Sequence, residues 1–320
     1  MVTPTLTKEE AATFLSDVLQ FENWNEELQN DKVEFVNHLI IKYQQKQPFQ
    51  TLSLLSEDLN ARKIPTWEEI KTAIFTKEGG LCHTLNTFIW MLLKALGYDV
   101  YLVMSNVVIN EQCFKETFNH TLVIVRDLTV KGSLHVIDCG FVTPILNAII
   151  IEDPAQDEDS LNEMMHHNGG KIFKYVKRGS NTYVRYDMSI NNKKERRETI
   201  NDWQMSYWFN IQPNNFADFY EHSAMRVYLG VRTTLEADSG DLLHYTIILT
   251  GLEGERRITI INHEIMVENE EHIMEASDIP QDELSDYIIR YFPGFKGRED
   301  VIKKALENME KTKERLSIKI

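Results

Sequence analysis

The chain has little of what unusual folds are built from. Its 320 residues include only 3 cysteines, 8 prolines and 14 glycines. Cys82, Cys113 and Cys139 form no Cys-x-x-Cys pair and are too few for a disulfide framework, which points to a reducing compartment and so to the cytoplasm. So little glycine and proline excludes collagen and low-complexity disorder. Positive charge is short as well. Lys plus Arg number 34 against 49 Asp plus Glu, a formal net charge of −15 that repels polyphosphate and argues against nucleic acid or an anionic membrane as partner. No apolar run approaches the roughly 18 residues that span a bilayer. Residues Met1 to Gln20 mix Lys8, Glu9, Glu10 and Asp17 among apolar positions, so neither a signal peptide nor a membrane segment is expected.

What is present is ordinary globular material, 42% hydrophobic and 26% charged, long enough for two or three packed units. Residues 8–20 and 31–45 carry apolar positions at helical spacing, with Asp31 available as a cap. Pro48 and Phe49 break that pattern. Residues 66–75 read as a short helix with Pro65 at its start and Glu68 and Glu69 in its first turn, followed by Gly79 and Gly80 as a hinge. From His83 to Leu96 the residues Leu85, Phe88, Ile89, Leu92 and Leu96 follow a 3.6-residue period, and Gly97 stands where a helix ends. Runs rich in Val, Ile and Tyr then predict strands at 100–108, 121–125, 134–137, 172–176 and 182–188. Acidic residues 153–170 read as a surface loop. Residues 214–277 mix a helix at 216–226 with strands at 227–233, 242–249, 257–261 and 263–267, and residues 281–291 and 299–320 are helical by propensity.

Three residues could carry nucleophilic chemistry. Cys82 follows Gly79-Gly80-Leu81 and precedes the best-marked helix, so its sulfur meets free backbone N–H groups and the positive end of a helix dipole, both of which favour thiolate. The glycines allow amide donors to approach the carbonyl oxygen of an acyl group on that sulfur. A thiolate needs a base and the base an orienting group. His120 opens the apolar run 121–125, and Asp138 ends the next strand. Each has a plainer reading: Cys82 as a small buried hydrophobe, His120 as a half-exposed strand-edge residue, Asp138 as a turn former. The order Cys, His, Asp sets the three apart.

Around those residues the sequence resembles the arylamine N-acetyltransferases. Lys77-Glu78-Gly79-Gly80-Leu81-Cys82 with Leu85-Asn86 is similar to the family's Arg-x-Gly-Gly-x-Cys-x-x-x-Asn helix start. Asn119-His120-Thr121 resembles its His strand, Asp138-Cys139-Gly140-Phe141 its Asp-x-Gly-Phe turn, and Gln47-Pro48-Phe49-Gln50-Thr51-Leu52 its Pro-Phe-Glu-Asn-Leu segment. The likeness thins after Phe141, persists at Trp203 to Asp218, and fades over the last fifty or so residues. It implies an α/β fold of the multi-domain α+β kind with a cysteine-protease-like triad: a helical domain at 1–96, a β-barrel domain at 97–205, an α/β lid at 206–280 and a C-terminal helical segment at 281–320. It implies acetyl-CoA as donor and an arylamine, hydrazine or arylhydroxylamine as acceptor, the chemistry of xenobiotic metabolism. Cys82 would carry the acetyl group as a thioester in a ping-pong cycle, His120 would move protons, and Asp138 would hold the imidazole. Phe49, Gly140 and Phe141 would line the acceptor site.

The chain departs from the family pattern at three places. Lys77 stands for the arginine before the glycine pair and cannot make a bidentate guanidinium contact. Gln50-Thr51 replaces Glu-Asn. The Thr-His-Pro-x-Ser-type segment that meets coenzyme A is not visible after Tyr220, where His222-Ser223 and Arg226 to Thr234 stand instead. Arg232 and Thr233 are named as coenzyme A contacts. Basic clusters at Lys171, Lys174, Lys177 and Arg178 and at Lys193, Lys194, Arg196 and Arg197 read as solvated faces. His166-His167 lack a spaced partner set, and no metal is expected. His83 reads as a first-turn helix residue rather than the base, Cys113 and Cys139 as structural thiols, and Trp203, Tyr207, Trp208 and Phe209 as packing. Two rival classes use the same residues: a hydrolase or amide-forming acyltransferase with another acyl donor, and a non-catalytic homologue that binds small molecules.

Overall fold

The computed structural model describes residues 4–108, 114, 116–143, 145–168, 171–189, 199–200, 203–214, 216–233 and 242–315. Helices come first. Lys8–Thr13 opens on a capping box of Thr7 and Glu10 and runs into a π-helical turn, Phe14–Val18. Lys32–Lys46 starts where the sequence predicts, the N–H groups of Val33 and Glu34 both donating to Asp31 Oδ1 at 3.0 Å. Trp67–Phe75 begins at a second capping box, Thr66 with Glu69. Helices Trp24–Asn30 and Leu52–Ser56 are too short to show a clear period and were not predicted.

The helix Cys82–Ala95 is the axis of the molecule. Every residue from Cys82 to Leu93 is buried, because helices cover one side and a sheet the other. The Phe88 ring lies 4.7 Å from Phe14, 6.3 Å from Tyr43 and 6.1 Å from Phe75, and Tyr43 donates its hydroxyl to the Leu85 carbonyl at 3.1 Å. On the other side lies a nine-stranded antiparallel sheet. Its order is Ile149–Glu152, Leu134–Ile137, His120–Arg126, Val100–Val107, Trp203–Asn210, Thr182–Ser189, Lys171–Lys177, His166–Asn168, with Thr199–Ile200 paired to Trp203–Asn210. The sheet curls, bringing Glu152 on the first strand to Lys177 Nζ (3.1 Å) and the Tyr183 hydroxyl (2.7 Å) near the opposite end. A barrel is thus replaced by an open curl: among the described residues the two end strands do not pair, and Glu152 on the first strand instead reaches Lys177 and Tyr183 on the two strands before the last.

A second antiparallel sheet takes Phe49–Gln50, Ile248–Glu253, Arg256–Ile261, Glu264–Glu268 and Met274–Asp278 in that order. Leu52 and Leu55 share its core with Leu249, Ile260, Ile288 and Ile302, and Asn308 on the helix Glu299–Arg315 donates to the carbonyls of Leu55 and Ser56. The segment after Pro48 therefore belongs by packing to the C-terminal part of the chain.

Several local expectations change. Residues 227–233, read as a strand, lie in the helix Met225–Thr233, whose Val227 and Tyr228 bury at helical spacing with Ala224. The expected loop at 153–170 holds a helix, Glu158–Glu163, capped by Asp157, and the strand His166–Asn168. The strand expected from 242 begins at Ile248, Met274–Asp278 is an additional strand, and the helix expected from 281 begins at Leu284. The boundary expected at 205 falls inside the strand Trp203–Asn210, where Tyr207 and Phe209 point into the curled sheet's core. No helix of the described residues is long and apolar enough to cross a membrane.

Candidate active site

The site is built where two loops meet the start of the Cys82 helix. Gly79 and Gly80 are not a hinge but a close crossing. At Gly79, with φ +69°, a Cβ would lie 1.9 Å from the Pro48 carbonyl oxygen. Gly80 donates its N–H to that same oxygen at 3.0 Å and accepts from the Gln50 N–H at 3.0 Å, so the Pro48-Phe49-Gln50 segment clamps the loop that presents Cys82. Gln50 is tied back to Ser53, and Thr51 Oγ1 donates to the Thr246 carbonyl while accepting from the Ile248 N–H. Beneath the loop, where the sequence lacks an arginine at 77, Arg298 pairs with Glu78 and Gly294 packs on the Lys77 carbonyl.

Cys82 is the first residue of the helix. Leu81 at the N-cap offers no side-chain acceptor, so the leading N–H groups carry no side-chain cap beside the sulfur. The register Ser105 opposite His120 sets His120 at the start of its strand, and its Nε2 lies 2.9 Å from Asp138 Oδ2. Asn86, one helical turn after Cys82, locks the pair in place. It donates to Asp138 Oδ1 (3.0 Å) and the Thr121 carbonyl (2.7 Å), and it accepts from the Cys139 N–H (2.9 Å). Gly140 lets the turn press on the helix: a Cβ there would lie 2.6 Å from the Cys82 Cα. The Phe141 and Tyr207 rings both stand 5.4 Å from the His120 ring.

Burial shapes the charges. For Cys82 burial opposes the thiolate, but His83 and His120 outweigh it and draw the thiol down to about 6. For His120 burial opposes the imidazolium, and Asp138 with Cys82 overrides it, raising the ring to about 10. Burial likewise opposes the Asp138 carboxylate, which His120, Asn86 and Arg185 hold below its ordinary value. The three groups are therefore poised as thiolate, imidazolium and carboxylate.

Cys82, His120, Asp138, Gly140 and Phe141 come together. Phe49 is buried in the helical core and bridges Gly80 through its backbone. The side chains of Arg232 and Thr233 lie outside the described residues, as do Cys113 and the basic run 193–197. Lys174 stacks over Trp203 and Lys177 pairs with Glu152 and Glu158. Among the described residues no group of three or more His, Cys, Asp or Glu could hold a metal ion. A cavity of about 220 Å³ opens beside the loop, lined by Gly79, Gly80, Leu81, Thr84 and Tyr228 among others, and a larger one of about 420 Å³ shares no lining residue with the Cys82 cluster. Two residues read for other reasons stand at the site. Tyr207, read as packing, packs against the His120 ring, and His83, read as a first-turn helix residue, is one and places Nδ1 3.2 Å from the Cys82 Sγ. The signal for Asn86 and His83 was there: polar side chains inside an otherwise apolar helix.

A family model described as N-acetyltransferase matches residues 32–293. The chain belongs to the arylamine N-acetyltransferase family, a family of acyltransferases. Its fold is that of the family's solved structures. The Mycobacterium marinum arylamine N-acetyltransferase in complex with CoA is matched at a TM-score of 0.70 and 14% identity, over 92% of this chain and 97% of that one. The Salmonella typhimurium arylamine N-acetyltransferase is matched at 0.70 and 14%, over 95% and 99%. A curated relative, Proansamycin X synthase of Amycolatopsis mediterranei (strain S699), is 23% identical over 175 residues, 54% of this chain. That match spans 59% of the relative's length.

Proposed function

We propose that the protein is an arylamine N-acetyltransferase that works through Cys82, His120 and Asp138, the triad joining the helical unit to the curled sheet and the C-terminal sheet unit acting as a lid. The observation that carries the proposal is the buried convergence of these side chains, with His120 Nε2 2.9 Å from Asp138 beside a thiol drawn down to about 6. With Nε2 engaged by the carboxylate, Nδ1 is the nitrogen left to exchange a proton with sulfur. The Cys82 thiolate attacks the carbonyl of acetyl-CoA, a tetrahedral oxyanion forms beside the helix's leading N–H groups, and coenzyme A leaves as its thiol, taking the proton of the His120 imidazolium and leaving that ring neutral. An arylamine, hydrazine or arylhydroxylamine then attacks the thioester. His120 takes the amine proton, and Asp138 holds the ring in the tautomer this needs. Phe141 gives the acceptor a flat apolar wall, with Gly140 leaving room beside the sulfur. CoA recognition by residues near Arg232 and Thr233 belongs to the same reading, and the match to a fold seen with CoA supports it. The same reading puts the protein in the cytoplasm, and three cysteines with no Cys-x-x-Cys pair support it.

A second reading keeps the same thioester chemistry with another acyl donor, and the partial likeness to a protein named Proansamycin X synthase leaves room for it. Intact-mass measurement after brief mixing with acetyl-CoA decides between them. One acetyl group on Cys82, absent in Cys82→Ala and cleared by an added arylamine faster than by water, is the expected result. An unmodified protein whose thiol still alkylates readily overturns the acetyl reading and leaves the second.

A further inference from the structure

One buried imidazole at the sulfur has no part in the cycle above. His83 is fully buried, its Nδ1 3.2 Å from Cys82 Sγ and its Nε2 2.7 Å from Ser223 Oγ. The Ser223 hydroxyl has one hydrogen and donates it to the Phe118 carbonyl at 2.6 Å. Towards His83, Ser223 is therefore an acceptor, so Nε2 carries a hydrogen. A neutral imidazole has only one N–H, which leaves the Nδ1 lone pair aimed at the thiol. The tautomer is fixed from 140 residues away. Phe118 belongs in turn to the segment that delivers His120, pinned by Asn106 Oδ1, which accepts from the N–H groups of Thr117 and Phe118.

We propose that His83 is a second proton acceptor for Cys82. The S–H bond breaks, the proton goes to Nδ1, the electron pair stays on sulfur, and the imidazolium keeps its Nε2–H on Ser223. Both protonation states keep the contacts to Cys82 and Ser223 without a rotation. Thiolate formation then survives the loss of His120, while the later proton steps that rely on Asp138 do not. The inference rests on Cys82 being the nucleophile. Of the influences that favour the thiolate, His83 is the largest. Among the groups that face the ring are Cys82 on its own helix, Ser223 on the turn Tyr220–Ala224, the Tyr228 ring at 6.3 Å on the next helix, and His120 across the sulfur.

The test is the rate of iodoacetamide alkylation at Cys82, read by peptide mass from pH 5 to 9, in the full chain, His120→Ala, His83→Gln and the double variant. Gln keeps an amide for Ser223 but has no basic nitrogen. Expected is a midpoint in His120→Ala still below the roughly 8.5 of a free cysteine, and one at or above it in the double variant, with a fall of about a hundredfold in rate at pH 6. Ser223→Ala in the His120→Ala background, which frees the tautomer but keeps the ring, should raise the midpoint by a smaller step and serves should the Gln variant not fold. If His83→Gln changes neither midpoint nor rate in either background, or if Ser223→Ala has no effect, the proposal is overturned while Cys82 stands as nucleophile. If wild-type Cys82 is inert at pH 6, both fall together.

Discussion

Two buried thiols flank Asn86, and they have opposite chemistry. Cys82 is 3% exposed and Cys139 2%, both free, and the turn holding Cys139 touches the Cys82 backbone through Gly140. Yet Cys82 is drawn down to about 6, whereas burial and the neighbouring Asp138 push Cys139 well up. Desolvation is common to the two. What differs is the sign of the nearest charge: imidazoles face one sulfur and a carboxylate faces the other. A buried cysteine is inert by default and becomes a nucleophile only when cations offset its burial.

The sharpest break in that comparison is to remove each thiol in turn. Cys82→Ala should abolish the acyl adduct and lower turnover by roughly a thousandfold or more, while Cys139→Ala keeps both and loses about 1 kcal/mol of stability. An adduct that moves to Cys139 would reverse the assignment. Asn86→Ala comes next, because it strands the Asp138 carboxylate, the Thr121 carbonyl and the Cys139 N–H in a buried site. A loss of about 3 kcal/mol in urea unfolding is expected, with slower alkylation of Cys82 as the carboxylate loses its anchor. Unfolding changed without any change in alkylation would make Asn86 a structural brace only. Gly140→Ala should cost about 1–3 kcal/mol, since the new methyl meets backbone rather than a flexible tip, and should slow acylation while leaving Cys139 unreactive.

How much of this could be read beforehand depends on how local its cause is. The Cys82 helix, the strands around residues 100, 120 and 134, and the two capped helices follow from short-range period and caps, and each lies within a residue or two of its expected place. That Cys82, His120 and Asp138 belong together was legible from order and resemblance. Residues 227–233 differ from the expected strand because Val, Tyr and Thr favour strands, while the helical burial is set by packing that a short window does not contain. The barrel became an open curl because closure depends on long-range contacts, such as those of Glu152 with Lys177 and Tyr183, that no short window contains. His83 gives the plainest case. Beside Cys82 it reads as one more helix residue, and its partner at Nε2, Ser223, lies far along the chain.

The smallest expected effect tests whether the thiolate and imidazolium form one unit. His120, raised from 6.5 to about 10, contributes stability that is fully present below 6.5 and lost as pH rises through about 10. Cys82, lowered from 9.0 to about 6, contributes stability that is fully present above 9.0 and lost as pH falls through about 6. Between pH 6.5 and 9 the folded protein therefore binds one proton more at His120 and one fewer at Cys82 than the unfolded chain, and the two slopes cancel. Asp138, held low, stays ionised throughout this window. Wild-type stability should be flat with respect to the pair. In Cys82→Ala only the extra proton on His120 remains, because Asp138 still favours the imidazolium. Stability should then fall with rising pH above 6.5, at up to about 1.4 kcal/mol per pH unit until the ring deprotonates. Urea midpoints at pH 6.5, 7.5 and 8.5 measure it. Parallel profiles for the two proteins would mean that the native thiol keeps its proton across the window, and that Cys82 differs from Cys139 in surroundings but not in charge.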